Sequence, residues 1–232
     1  MTTDITQRSD RPSAAVIEQI LLGFGVGIEL AAVSDIKFAI HFASLAASKK
    51  FPGRGQTEQW LGVFVAVMRD VGWVPLQRSY DHEASSSQSL KLGAVAYKGI
   101  KVVGEAILSN PASDALMQMA AKALEGLGNV TEAQKVLERN LKEKDAGTVG
   151  LASCIQNEAG EIILAMSAVD ATPFDDHQLD TVVFEWESKA KRIYSGTAVF
   201  VFNRDLYSAV REIIKDRLKD YTVRRTLDWQ IA

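Results

Sequence analysis

The chain holds a single cysteine, Cys154, in 232 residues. One thiol excludes an intrachain disulfide and any cysteine-built zinc or iron–sulfur site. It leaves the redox compartment open. Only three histidines are present, His41, His82 and His177, and none sits in a recognisable cysteine-hydrolase motif. Charge of one sign is also lacking. The formal net charge is −3, so there is no electrostatic case for nucleic acid. The amino-terminal MTTDITQRSDRPS lacks the basic-then-apolar order of a secretory leader. Cytoplasmic synthesis is therefore expected, with later release or membrane association left open. No internal repeat or low-complexity block stands out.

What is present is an ordinary globular composition, 47% hydrophobic and 24% charged, in a chain long enough to bury a real core. One stretch organises it: GTVGLASCIQNEAGEIILAMSAV, from Gly147 to Val169. Thr148–Gln156 and Glu161–Val169 are rich in strand formers. Between them Asn157-Glu158-Ala159-Gly160 supplies residues that accept the positive φ of a tight turn. In the second run apolar side chains fall on both alternating faces. That pattern predicts a central strand covered on both sides. Cys154 shares its face with Gly150 and Ala152, which leaves space there for a helix or for a ligand.

Ahead of this hairpin the sequence reads as mainly helical. Met1–Arg11 is polar and expected to be a mobile tail. Ala14–Leu22 is apolar and reads as a helix begun after Pro12. Gly23-Phe24-Gly25-Val26-Gly27 follows, with no strand expected before it and no Lys-Ser/Thr after it. The reading is a break between helices or a close contact rather than a phosphate loop. Ile28–Lys49 has helical periodicity and many alanines. Its charges Glu29, Asp35 and Lys37 argue against a membrane span, and His41 fits a core histidine. Glu58–Val71, capped by Thr57, reads as the next helix. Val74–Tyr80 reads as a short extended piece kept at an edge by Pro75. Asp81–Ser89 reads as a solvated loop, where the adjacent Asp81, His82 and Glu83 diverge too much for a metal site.

Leu90–Leu108 predicts a helix with three glycines, Gly93, Gly99 and Gly104. Each costs a helix about 0.5–1 kcal/mol relative to alanine. Such a helix needs tight neighbours, room for an apolar chain, or freedom to move. Helices are expected over Asn110–Leu127 and from Thr131 to Lys144, the latter with Thr131 and Gln134 as a capping box. After the hairpin, Asp170–Asp180 is acidic. Asp175, Asp176, His177 and Asp180 do not match the spacing of an EF-hand loop. Thr181–Ser188 and Arg192–Phe202 read as strands. Leu206–Lys219 reads as a helix with Leu206, Val210, Ile213, Ile214 and Leu218 at helical spacing. Trp229 is expected to dock on the body of the protein. The expected fold is α+β, a single domain over 1–232. It has a tail (1–11), a mainly helical part (12–146) and a strand-rich part (147–232). Apolar helices pack on an antiparallel sheet of about four strands, closed by a carboxy-terminal helix.

A lone strand cysteine serves most simply as a small buried hydrophobe. Nucleophilic catalysis needs a base and an orienting group as well. Acylation needs only an accessible thiolate and apolar space, where each buried methylene contributes about 0.8 kcal/mol. Apolar helices first, then a lone cysteine in TVGLASCIQN within a later sheet, is a layout that resembles the Erwinia virulence factor (Evf) family. Those bacterial proteins are associated with persistence in the insect gut and carry a fatty acid on a cysteine. The resemblance implies lipid attachment at Cys154 as a palmitoyl thioester. It also implies an apolar cavity lined by parts of Ile28–Ala47 and Leu90–Leu108. The expected function is then that of a fatty-acyl-carrying, membrane-associating virulence-type protein. Its partners would be a fatty acyl chain and a membrane but no nucleic acid. It would need no metal and no cofactor beyond the covalent palmitate. Two alternatives stay open. One is an acyltransferase or hydrolase with Cys154 as nucleophile. The other is a non-enzymatic interaction or pore-forming module in which Cys154 is structural.

Overall fold

Two short apolar runs, Ser13–Ile17 (β1) and Ile20–Phe24 (β2), fold back on each other as an antiparallel hairpin. This corrects the helix expected over Ala14–Leu22. Glu18 and Gln19, the polar pair inside that run, form the turn. Both flanking strands are buried on both faces, which makes them continuously apolar and hides the alternation that marks a strand. The computed structural model describes residues 7–84, 90–143, 147–170, 184, 187–188, 192–219 and 226–231. After the hairpin come α1 (Leu30–Lys50), α2 (Thr57–Asp70), β3 (Trp73–Ala84) and β4 (Leu90–Lys91). Then follow α3 (Leu92–Ile107), α4 (Asn110–Asn129), α5 (Thr131–Glu143), β5 (Thr148–Gln156) and β6 (Ile162–Asp170). The chain ends with β7 (Glu187–Ser188), β8 (Arg192–Phe202), α6 (Arg204–Leu218) and β9 (Thr226–Gln230).

The fold is α+β, but the sheet is larger than the antiparallel one of about four strands that was expected. It has seven strands in the order β3-β8-β6-β5-β2-β1-β9, with β2 and β5 parallel and the other pairs antiparallel. The front of the chain contributes β1, β2 and β3 to it, and the tail contributes β9. β4 and β7 make a separate two-stranded ladder, so Glu187–Ser188 is not part of the main sheet. The central hairpin forms as read, with Cys154 opposite Leu164. β3 is an edge strand, in keeping with Pro75, and its register shifts between Pro75 and Gln77. It runs on through Asp81, His82 and Glu83 to Ala84, where a loop was expected.

Helices cover both faces of the sheet. Side chains alternate between them: Ala152, Cys154, Leu164, Met166 and Phe200 pack under α1, α2 and α6. Val149, Leu151, Ile155, Ile163 and Val199 pack under α3, α4 and α5. α1 is 21 residues long and, by length and composition, apolar enough to cross a membrane. Here 56% of that apolar window is buried inside the protein. The small residues of α3 and β2 let helices approach closely. A Cβ at Gly23 would lie 2.7 Å from the Met119 carbonyl oxygen of α4, so the glycine-rich stretch serves packing.

Several local readings change. Residues 7–11 are tied down: Ser9 N donates to Ile28 O at 2.9 Å and Leu30 N to Gln7 O at 3.0 Å. Thr57 opens α2 without capping it, its hydroxyl instead meeting Thr148 Oγ1 at 2.9 Å. Gln134 Nε2 donates to the carbonyls of Leu127 (2.8 Å) and Gly128 (3.0 Å), closing α4 rather than boxing the start of α5. On α6, Tyr207, Ile214 and Leu218 are buried, whereas Leu206 and Ile213 are 57% and 61% exposed. Two contacts set that rotation: the Tyr207 ring on Phe202, and Arg211 Nε on Asp35 of α1 at 2.9 Å. Trp229 docks, with its indole against Gly126 of α4. Asp175, Asp176, His177 and Asp180 lie outside the described residues.

Candidate functional site

The β1–β2 turn is the most unusual piece of backbone. Glu18 takes φ 55°, the left-handed region that costs an ordinary L residue roughly 1–2 kcal/mol. It is also fully buried. Such strain persists only where the surroundings over-determine it, and it concentrates at functional sites. Three elements hold this turn. Asn140 of α5 donates from Nδ2 to the Glu18 carbonyl at 2.7 Å. The Gly150 N–H of β5 donates to the Gln19 carbonyl at 2.9 Å. His41 of α1 brings Nε2 to 2.8 Å from Glu18 Oε1, a hydrogen bond between the imidazole and the carboxyl group.

Next to this buried pair the network opens outward. His41, Ser44 and Ser48 sit at helical spacing on one face of α1. Gln19 Nε2 donates to Ser48 Oγ at 2.9 Å, and Trp60 Nε1 donates to the same oxygen at 3.0 Å. Ser44 Oγ reaches Gln19 Oε1 at 3.4 Å. Gln19, Ser48 and Trp60 then form part of the wall of a cavity of about 690 Å³. That volume falls in the range of small-molecule sites, about 300–1,000 Å³. Its walls are mostly apolar, with Phe42, Leu45, Ala46, Phe51, Pro52 and Leu218 from α1, the loop after it and α6. Lys49 and Arg217 supply charge, and Gly147 and Thr148 close the end at the start of β5.

The cavity is not where the sequence pointed. Ile28–Ala47 and Leu90–Leu108 lie on opposite faces of the sheet, so they cannot line one space together. The glycines of α3 are filled against: a Cβ at Gly99 would lie 2.6 Å from Ser167 Oγ and one at Gly104 2.9 Å from Ser113 Oγ. The smaller groove beside Gly93, Tyr97 and Phe184 belongs to the other face and measures about 380 Å³.

Cys154 is fully buried in β5, facing the same layer of helices as the cavity. It lines neither this cavity nor the smaller ones beside Gly93 and Gly160. It lies six steps along the strand from Thr148, roughly 20 Å. Burial pushes the thiol well above its ordinary value of 9.0, so it is held protonated. That is the reverse of what a nucleophilic thiolate requires. His41, one of the histidines available to such a nucleophile, is engaged by Glu18. No group of three or more His, Cys, Asp or Glu suited to a metal occurs among the described residues.

Sequence reasoning placed His41 in the core but missed Glu18, Gln19, Ser48 and Asn140. The available signal was the dipeptide Glu18-Gln19 interrupting an apolar run, which marks a turn between strands more naturally than a helix. No protein-family model matches the chain, and no curated protein matches it. Among solved structures it is similar to the Evf virulence factor, with 13% identity and a TM-score of 0.31, over 85% of this chain and 76% of that one. It is also similar to a delta-endotoxin, with 10% identity and a TM-score of 0.38, over 75% of this chain and 81% of that one. Both likenesses are distant, and neither assigns a family.

Proposed function

We propose that this protein binds a single fatty acyl chain in the cavity bounded by α1, α2 and α6. The observation that carries the reading is the cavity itself: about 690 Å³, walled by Phe42, Leu45, Phe51, Trp60 and Leu218, and already open in the folded chain. Burial of a chain there contributes about 0.8 kcal/mol per methylene. A chain held inside the protein does not anchor it to a bilayer, so carriage rather than membrane attachment is the central role. Covalent attachment at Cys154 is a separate step, because the thiol and the cavity stand at opposite ends of β5. It requires the core around Phe24 and Leu164 to open.

The test combines mass and binding. Delipidated protein is titrated with dodecan-1-ol while the emission of the cavity tryptophan, Trp60, is followed. Saturable binding that weakens at least about tenfold in Ala46→Phe, which fills the cavity, supports the reading. No saturable change in the parent protein overturns it. Intact mass before and after neutral hydroxylamine separates the two forms of carriage. A hydroxylamine-labile excess, lost in Cys154→Ser, identifies a thioester.

A further inference from the structure

The charge around the cavity is one-sided. Among its described lining residues are two cations, Lys49 and Arg217, and no aspartate or glutamate. This is a local reversal in a chain whose net charge is −3. Neither cation makes an ion pair among the described residues, in contrast to Lys37 with Asp228 and Arg204 with Glu29. Both belong to the last turn of their helices, α1 and α6, where orphan carbonyls carry partial negative charge. Without those two cations, helix ends would repel an anion at this mouth.

Ser48 adds a directional donor. Its oxygen already accepts from Gln19 Nε2 and Trp60 Nε1, which uses both lone pairs. Its remaining hydrogen has no acceptor among the described residues, and Ser48 lines the cavity. A hydroxyl satisfied as acceptor, with no acceptor of its own among the described residues, beside two cations with no ion-pair partner among them, matches an acceptor-only, negatively charged head.

We infer that the cavity takes an unesterified fatty acid, its carboxylate met by Lys49, Arg217 and the Ser48 hydroxyl and its chain lying past Leu45 and Trp60. The inference rests on the acyl-chain reading above and adds the head group. It discriminates against alcohols, neutral esters and cationic amphiphiles, which would leave the rim charges unmatched or opposed.

The test compares dodecanoate with dodecan-1-ol, both below their aggregation limits, on the parent protein and on Lys49→Gln/Arg217→Gln. Loss of two solvent-screened charges is expected to weaken dodecanoate about three- to tenfold. Dodecan-1-ol affinity stays within about twofold, since its contacts are apolar. Added salt should weaken dodecanoate in the parent and not in the double variant. Equal losses for both probes, or no loss for dodecanoate, overturn the head-group assignment while chain binding stands. Failure of both probes to bind the parent protein overturns the chain reading and this inference with it.

Discussion

Gly99→Ala sets two known effects against each other inside α3. On propensity alone, alanine stabilises a helix interior by about 0.8–1 kcal/mol relative to glycine. The tertiary structure opposes this. A Cβ at Gly99 would sit 2.6 Å from Ser167 Oγ and 2.7 Å from Thr197 Cγ2, where ordinary contact begins at 3.4 Å. The helix must therefore withdraw by about 0.8 Å (3.4 minus 2.6) or the strands beneath must shift. A gap of that size forfeits roughly a quarter to a half of each dispersion contact under Val95, Ala96, Ile100 and Val103. Overpacking of this kind costs about 1–3 kcal/mol. The steric effect wins, and Gly99→Ala is expected to destabilise by about 1–2 kcal/mol net. For a chain of this length that lowers Tm by roughly 2–8 °C. The assay is thermal and urea unfolding, with two comparisons. Gly128→Ala near the end of α4 meets nothing within 4 Å and should be neutral or stabilising by up to about 1 kcal/mol. In a Ser167→Ala/Thr197→Ser background the two nearest atoms are gone and of the three nearest contacts only the residue 167 Cβ, at 3.2 Å, stays tighter than ordinary contact, so Gly99→Ala should there lose most of its cost. If Gly99→Ala stabilises the parent protein as Gly128→Ala does, the close seating of α3 on these strands is wrong.

Two further outcomes follow from buried groups. Replacing either partner of the Glu18–His41 pair breaks a buried hydrogen bond and is expected to cost about 1–3 kcal/mol. The double replacement by alanine should cost clearly less than the sum of the singles, and strict additivity in urea unfolding would refute the coupling. Cys154 should impose an alkaline limit on stability. Its folded pKa is raised by burial, so its contribution is complete below the ordinary value of 9.0 and is lost as pH climbs above it. The unfolded chain then releases a proton that the folded chain keeps, with a slope of up to about 1.4 kcal/mol per pH unit. Cys154→Ala should flatten that limb just above pH 9.0 while leaving the slope at neutral pH unchanged. Tyr207, raised first by burial and then by the charge of Asp35, keeps a second limb above its ordinary 10.0. An unchanged slope in Cys154→Ala would show that the thiol titrates freely.

The sequence alone determined the local elements whose signals agree with one another. The hairpin from Thr148 to Val169 was legible because strand formers flank turn residues that tolerate positive φ. α1 through α5 and α6 were legible because helical periodicity runs for three or more turns in each. Pro75 marked β3 as an edge because proline cannot donate to a second neighbour. The tertiary structure decided what depends on meeting distant partners. Ser13–Phe24 became two strands because β5 and β9 offer edges on either side. Its Glu-Gln turn lacks the usual turn residues and is held by His41, Asn140 and Gly150 from three other elements. The phase of α6 was settled by Phe202 and Asp35 rather than by the helix's own apolar spacing. The cavity was invisible in the same way. Phe42, Trp60, Gly147 and Leu218 are far apart in sequence, and the space they line forms only when the ends of α1 and α6, the first turn of α2 and the start of β5 are brought together. Periodicity reports which face of an element is buried. It carries no information about which other element covers that face, or where the covering is incomplete.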